Sequence, residues 1–341
     1  MHLTQEWDKT FPREKQVTQE KVTFRTRFGF TLAADVYRPR TARGRHAALA
    51  VCGPFGAVKE QAAGLYAQEL ARRGFLTVAF DPSYTGESCG VGGVRGVASV
   101  DINTEDFAAA VDYLTLRDDV AAGGIGLLGL GGWGLLALRT AAQDTRVRAV
   151  ALVSPCSLLC GQQRIEERKE AAMARHHSPA PRVVSEEVGE SLPRRALFAR
   201  LSAQRTEDAR RGTCARAGGI PDPLPQDAPL LLRECFAYYK TQRGYHPRSL
   251  CSNDGWNVTG LLSLLTSDLL CGIDAIECPV LVLCGEKSPA RKTATTVFQT
   301  LTTAEKKLHL VPDATHTDLY DKRQQIPFAD IEAFFRRQLH W

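Results

Sequence analysis

Short apolar runs alternate with amphipathic stretches along the first half of the chain. The runs are typical of buried strands and cover residues 48–52, 75–80, 125–130 and 147–154. The intervening stretches repeat apolar residues with a helical period and cover residues 59–73, 104–114 and 132–142. Strands that alternate with helices in this way predict a parallel sheet covered by helices on both faces.

The pattern differs before and after this region. Residues 22–28 and 31–37 alternate apolar and polar positions across a glycine turn, which predicts an antiparallel hairpin. Residues 157–262 are charged and helix-prone, and they predict a mostly helical cap inserted into the sheet domain. The sheet pattern resumes near residue 279, and 326–339 predicts an amphipathic closing helix. We therefore expect a core formed by 1–156 and 263–341, interrupted by the cap.

Composition narrows the class of protein. The chain has 341 residues, of which 44% are hydrophobic, enough for a large buried core. Its net charge of +5 is dispersed, so a nucleic acid is not the expected partner. No apolar run reaches the length of a membrane span, and the polar N-terminal stretch lacks the apolar region of a secretory signal. We expect a cytoplasmic protein with no membrane partner.

Ten cysteines are scattered through the chain without a CxxC pair. This spacing argues against a zinc site and against a disulfide framework, so we expect no metal. The cysteines fit small buried hydrophobic residues in a reducing compartment.

The segment Gly129-Leu130-Gly131-Gly132-Trp133-Gly134 lies between a predicted strand and a predicted helix. A strand, a glycine-rich turn and a helix are the setting of a nucleophile elbow, in which the nucleophile sits on a strained turn. The register of the strand places Gly131 at that position. Glycine has no side chain, so no covalent acyl-enzyme can form there. A glycine-rich turn without a catalytic role is the alternative.

A dinucleotide fingerprint can also be threaded through this segment. We discount it because the motif follows a late strand and no acidic residue ends the next strand. The expectation is therefore a protein without a cofactor.

Several longer strings, in chain order, resemble the dienelactone-hydrolase-related α/β hydrolases, which include fungal polyketide transferases. The matching strings span most of the chain: EWDKTF (6–11), GPFGAVKEQAAGLYAQELARRGF (53–75), FDPSYTGES (80–88), DINTEDFAAAVDYL (101–114), RGYHPRS (243–249) and HTDLYD (316–321). The resemblance implies an α/β-hydrolase fold. Relatives carry a cysteine nucleophile in the elbow, and Gly131 falls on that cysteine.

His316 and Glu286 are the candidate catalytic pair. His316 lies in a polar loop after an apolar strand and before the last helix, where this fold presents its catalytic histidine. The acid is expected just after residues 279–285. Ser288 stands where a G-x-x-D pattern would place it, and Glu286 is the nearest carboxylate. Glu286 orienting His316 is our prediction, and an exposed surface role is its alternative.

Backbone N–H groups of Gly132 and Phe55 are the candidate oxyanion hole. Gly132 opens the helix after the elbow, and Phe55 follows a strand in the loop 53–56. Three further residues are expected to line a pocket at the strand ends: Tyr84, Trp133 and Cys52. A different hypothesis for the chemistry is that Cys52 or Cys156 serves as a nucleophile in place of the elbow residue.

Two classes of function compete. The first is an enzyme that acts on a small acyl or polyketide-like metabolite by non-covalent general-base and oxyanion-hole catalysis, through cyclisation, decarboxylation, elimination or water attack. The second is a non-catalytic pseudo-hydrolase that binds a metabolite or partner. We favour the enzyme, because a protein without catalytic activity needs neither a general base at His316 nor an unbroken FDPSYTGES string. The sequence leaves a homodimer open.

Overall fold

A computed structural model describes residues 3–41, 44–88, 94–156, 182–184, 191–217, 219–253 and 255–339 of the chain. All elements below lie within these ranges.

An eight-stranded sheet forms the centre of the molecule, in the order β1-β2-β4-β3-β5-β6-β11-β12. Its strands are β1 Val17–Arg25, β2 Thr31–Pro39, β3 His46–Cys52, β4 Leu76–Phe80, β5 Val120–Leu130, β6 Val147–Val153, β11 Val280–Gly285 and β12 Lys306–Val311. β1 and β2 form the predicted antiparallel hairpin, and the strands from β4 to β12 run parallel. The prediction of an α/β-hydrolase fold is confirmed.

Helices cover both faces of the sheet. The helices are α1 Ala62–Arg72, α2 Val100–Thr115, α3 Gly134–Ala141, α4 Arg194–Arg211, α5 Leu230–Tyr239, α6 Leu261–Thr266, α7 Arg291–Thr300, α8 Asp318–Asp321 and α9 Phe328–Gln338. Leu127 and Leu128 are neighbours in β5, so their side chains point to opposite faces of the sheet. Both are fully buried, each in a different core cluster. Leu127 shares its cluster with Phe107 of α2, and Leu128 shares the other with Phe335 of α9. Each such side chain contributes about 1.5–3 kcal/mol through burial.

The segment between β6 and β11 holds α4, α5 and α6 together with four short strands. These strands are β7 Arg182–Val184, β8 Ser191–Pro193, β9 Arg216–Ala217 and β10 Trp256–Asn257. Residues 157–181, 185–190, 218 and 254 of the predicted cap lie outside the described residues, and its boundaries at 157 and 262 stay a prediction.

A buried ion network holds the early strings of the sequence together. The Nζ atom of Lys59 is fully buried and lies 2.7 Å from Glu60, 2.8 Å from Asp81 and 2.6 Å from Glu87. The Nζ atom of Lys21 lies 2.7 Å from the same Glu87 carboxylate. Buried charges are costly to remove from water, so each needs such partners. Asp81 and Glu87 of the FDPSYTGES string therefore stabilise the fold.

The N-terminal string joins the same network. Lys9 lies 2.5 Å from the buried carboxylate of Asp35, and Asp8 lies 2.6 Å from Arg248. Arg248 in turn lies 2.9 Å from Glu60. Strings that are far apart in the sequence thus meet through charge pairing, which gives their charged residues a structural role.

Candidate active site

The carboxyl ends of the parallel strands bring the candidate site residues to one edge of the sheet, where ligands of open α/β sheets bind. Gly131 follows β5, Ser154 follows β6, Ser288 follows β11, and His316 lies in the loop after β12. The Ser154 hydroxyl donates to the backbone carbonyl of His316 at 3.3 Å.

Gly131 occupies the strand-to-helix turn in a left-handed conformation, with φ of +60°. A Cβ at this position would lie 2.8 Å from the Pro54 Cβ and 3.0 Å from the Tyr320 hydroxyl oxygen. Glycine is favoured here because a side chain would meet both backbone strain and these two neighbours. The turn has the geometry of an elbow, and its apex is crowded.

His316 is 1% exposed, and both of its ring nitrogens have partners. Nε2 lies 2.8 Å from the hydroxyl of Tyr320, and Nδ1 lies 3.2 Å from the hydroxyl of Ser288. The Ser288 hydroxyl also accepts a hydrogen bond from the Ala290 N–H at 3.1 Å. Burial lowers the pKa of His316 to about 4, so the imidazole is neutral at physiological pH.

Glu286 does not orient His316, and this prediction is corrected. Glu286 is exposed, and its carboxylate accepts from the Asp313 N–H at 3.4 Å. Ser288 takes the place on Nδ1 because the chain after β11 turns back toward the histidine loop at Gly285. A Cβ on Gly285 would lie 2.4 Å from the Ala314 carbonyl oxygen, so this close approach requires glycine.

Tyr320 places its hydroxyl between the elbow and the histidine. It lies in α8, four residues after His316, and its pKa is raised well above 10 by burial. Two contacts fix the turn that carries it. The Tyr66 hydroxyl donates to the Leu319 carbonyl at 2.7 Å, and Arg243 lies 2.6 Å from the Asp321 carboxylate.

Glu234 of α5 holds the backbone of the histidine loop. Its Oε2 accepts from the His316 N–H at 2.7 Å and from the Thr317 N–H at 3.3 Å. The second oxygen, Oε1, is buried and makes no hydrogen bond to a described residue. A carboxylate therefore does position His316, by holding its main chain rather than its ring.

Phe55 and Trp133 flank the elbow in an aromatic cluster. The Phe55 ring stacks on Trp256 with centroids 3.6 Å apart and meets Trp133 edge-on at 4.6 Å. Trp133 is 1% exposed, and its indole N–H has no partner among the described residues. Pro54, next to Phe55, borders Gly131 directly. The structure thus brings Phe55, Gly132 and Trp133 together around the elbow, while the oxyanion role of the two N–H groups stays a prediction.

The structure gives the surroundings of Tyr84 and Cys52, and their place in a pocket stays a prediction. Tyr84 has φ of +66° and packs against Phe30 of the first hairpin, with ring centroids 5.1 Å apart. Cys52 is buried within the sheet, and burial together with the charges of Asp106 and Asp81 raises the pKa of its thiol. A raised thiol pKa is the opposite of what an activated nucleophile needs. Cys52 is therefore no relocated nucleophile.

Tyr320, Ser288 and Glu234 are the residues that sequence reasoning missed. Tyr320 carried a local signal, since positions i and i+4 share one face of a helical turn. Ser288 stands at the position of the expected acid, but the prediction assigned that role to Glu286 as the nearest carboxylate. Glu234 lies 82 residues before His316, and no local pattern marks it.

Among the residues that the structure describes, no group of three or more His, Cys, Asp or Glu side chains could hold a metal ion. Within the same residues, no helix combines the length and apolar character needed to cross a membrane.

The sheet order, the left-handed turn after β5 and the histidine loop after β12 define an α/β hydrolase. A family profile described as X-Pro dipeptidyl-peptidase (S15 family) matches residues 29–318. The chain belongs to this family.

Individual relatives agree with this placement. The chain is 42% identical to the uncharacterized protein PA2218 of Pseudomonas aeruginosa, over 99% of its own length and 86% of that protein's. The crystal structure of PA2218 superposes with a TM-score of 0.86 over 99% of both chains. The α/β hydrolase GrgF of Penicillium sp. sh18, 17% identical, superposes with a TM-score of 0.74 over 95% of this chain and 100% of that one, and shows the fold alone. A segment covering 40% of the chain and 44% of the relative is 30% identical to the polyketide transferase claH of Penicillium crustosum.

Proposed function

We propose that this protein acts on an acyl or polyketide-like carbonyl compound by general-base and oxyanion-hole catalysis, without an acyl-enzyme. The observation that carries the proposal is the elbow itself. Gly131 supplies no nucleophile, and the Tyr320 hydroxyl fills the space beside it at 3.0 Å from a Cβ position. The expected oxyanion donors are backbone groups of Gly132 and Phe55, which need no side chain at Gly131.

The neutral state of the His316 imidazole allows it to act as the general base. His316 is uncharged at pH 7 because burial lowers its pKa to about 4. Such a base, together with the expected N–H donors, suits reactions that develop charge on a carbonyl oxygen, such as ring closure, decarboxylation, elimination or attack by water. The partial likeness to the polyketide transferase claH supports a polyketide-like substrate in a biosynthetic pathway.

The experiment offers acyl and β-ketoacyl thioesters of N-acetylcysteamine, together with p-nitrophenyl acetate, to the wild-type protein. We expect product by liquid chromatography and mass spectrometry, with no acyl mass added to the protein. His316→Gln should lower turnover by roughly 10²–10⁴. The control His309→Gln, at a half-buried histidine of β12 paired with Asp330, should keep it. An acyl adduct on the protein contradicts the proposal.

The second candidate function is a non-catalytic binding protein, and burial favours it. His316 and Tyr320 are 1% and 2% exposed, so the hydrogen-bonded pair is shielded from solvent in this structure. Saturable binding of a thioester by calorimetry, without turnover, would establish this function in place of the first.

A further inference from the structure

The elbow, Tyr320 and His316 form one line of contacts. The Tyr320 hydroxyl lies 2.8 Å from His316 Nε2 on one side and 3.0 Å from the Cβ position of Gly131 on the other. A nucleophile on the elbow would have to make its hydrogen bond to Nε2, because the histidine takes its proton there. In this chain the phenol of Tyr320 makes that hydrogen bond instead.

We propose that Tyr320 is the catalytic residue that exchanges a proton with the substrate, and that His316 acts through it. The inference rests on the proposed function and names the group that performs its acid–base step. Substrate cannot reach Nε2 directly while the phenol holds that nitrogen. The imidazole is then the reservoir for the proton, and the phenol oxygen is the atom that meets the substrate.

The direction of the hydrogen bonds follows from relative acidity. A phenol is a stronger acid than the N–H of a neutral imidazole, and imidazole is the stronger base of the two. The Tyr320 O–H therefore donates to Nε2, and the proton of the neutral imidazole lies on Nδ1. Nδ1–H donates to the Ser288 hydroxyl, which can accept it beside the Ala290 N–H because a hydroxyl has two lone pairs.

The proton balance of the step is complete within these groups. A substrate C–H next to a carbonyl, or the O–H of a water or of the substrate, gives its proton to the Tyr320 oxygen. At the same moment the phenol proton passes to Nε2, and the electron pair left on the substrate moves toward the carbonyl oxygen. The product is an imidazolium and a substrate anion, and the reverse transfer returns the proton when the anion is quenched.

The arrangement is held rigidly, as a proton relay requires. Tyr66 fixes the main chain of Leu319, and Arg243 fixes Asp321, so the residues on both sides of Tyr320 are anchored. The Tyr320 ring meets Tyr238 edge-on, with centroids 5.3 Å apart. Within the described part of the chain, His316 is the hydrogen-bonding partner of the Tyr320 hydroxyl. A phenol oxygen has two lone pairs, so it can accept a proton while its own O–H donates to the imidazole.

The first test needs no substrate. Nitrogen-15 NMR of histidine-labelled protein reports which ring nitrogen carries the proton, and His316→Gln identifies the resonance. We expect the Nδ1–H tautomer at pH 7, with Nε2 accepting a hydrogen bond that Tyr320→Phe removes. An Nε2–H tautomer would overturn the inference, because the phenol would then be the acceptor and no relay toward the imidazole could run.

The second test uses the N-acetylcysteamine thioester that the wild type converts. Tyr320→Phe keeps the ring and should lower kcat by roughly 10²–10⁴ with KM little changed. The Tyr320→Phe/His316→Gln double variant should be no slower than either single variant, since the two groups act as one unit. Tyr113→Phe is the control, because it removes a phenol hydrogen bond to Arg117 far from the site.

The outcomes separate the two proposals. Full turnover by Tyr320→Phe, or additive losses in the double variant, refutes the relay and leaves the proposed function standing. Absence of turnover by the wild type refutes the proposed function, while the tautomer still decides which way the Tyr320–His316 hydrogen bond points.

Discussion

The carboxylate of Glu234 accepts a hydrogen bond from the backbone N–H of His316 at 2.7 Å, and the imidazole ring of that histidine receives no carboxylate among the described residues. In a triad, an acid holds the ring and fixes its tautomer. Here the acid comes from α5 and fixes the loop, while hydroxyl groups of Ser288 and Tyr320 fix the ring. The site thus separates the positioning of the main chain from the positioning of the imidazole.

Removal of the Glu234 carboxylate should therefore loosen the histidine loop. Glu234→Ala leaves two buried N–H groups without an acceptor, and we expect a loss of about 1–3 kcal/mol in the free energy of unfolding. Glu234→Gln should lose less, because its amide oxygen can still accept. Urea denaturation measures both. Glu207→Ala on α4, which removes exposed pairs with Arg210 and Arg211, is the control and should change little.

Crowding at the elbow can be separated from backbone strain by two alanine variants. Gly131 has φ of +60° and close neighbours, whereas Gly123 has φ of +71° and nothing within 4 Å of a Cβ. Gly123→Ala should cost about 1–2 kcal/mol for the left-handed backbone alone. Gly131→Ala should cost more, because Pro54 and Tyr320 must also move. Equal losses in thermal or urea unfolding would refute the crowding.

The pH dependence of the free energy of unfolding should show that burial lowers the pKa of His316. Its pKa is about 4 in the fold and about 6.5 in an unfolded chain, so the unfolded state binds the extra proton between these values. This contribution is complete above pH 6.5 and is lost as pH falls toward 4. From pH 7 to pH 5 the loss is about 2 kcal/mol.

A comparison with His316→Gln isolates the contribution of His316 to the free energy of unfolding, because every other titrating group is common to the two proteins. The wild type should lose about 2 kcal/mol more than the variant between pH 7 and pH 5 in urea denaturation. Parallel pH profiles would mean that the imidazole titrates normally in the fold.

Lys59 should contribute strongly to stability because its charge balances three buried carboxylates. Lys59→Met removes the cation from Glu60, Asp81 and Glu87, and we expect a loss of about 3–5 kcal/mol in the free energy of unfolding. The matched control is Lys287→Met. Lys287 pairs with Asp313 on the surface, where ion pairs contribute about 0–1 kcal/mol.

Thiol labelling distinguishes a relocated nucleophile from buried structural cysteines. Cys214 and Cys271 are exposed, and burial raises the pKa of Cys284 to about 11 and that of Cys251 to about 12. Among the cysteines that the structure describes, iodoacetamide should modify these two exposed thiols first in the native protein at pH 7. Cys52 should react after denaturation. Rapid native modification of Cys52, mapped by peptide mass spectrometry, would reverse this conclusion.

The sequence predicted those features that local periodicity determines. The first hairpin, the parallel strands and α9 follow from apolar spacing, and Gly131 and His316 follow from their places after a strand. The partners of His316 could not be predicted in the same way. Ser288 and Glu234 reach it across 28 and 82 residues, and which hydroxyl or carboxylate arrives depends on how the loops close.

The FDPSYTGES string shows a different limit. The unbroken string favours a catalytic site in the sequence, yet in the structure Asp81 and Glu87 bind Lys59, and Ser83 donates to Asp106 at 2.6 Å. Buried polar groups need partners whatever the protein does. Such a string is therefore equally expected in an enzyme and in a protein that binds without catalysis.

The crowded apex of the elbow has an evolutionary consequence. A cysteine at position 131 would bring its Cβ within 2.8 Å of Pro54 and would direct its thiol at a histidine nitrogen that Tyr320 already holds. One codon change does not restore a nucleophile, because the proline loop or the tyrosine must yield as well. A cysteine at this position would therefore have to be accompanied by at least one further substitution, so the glycine is entrenched by its neighbours.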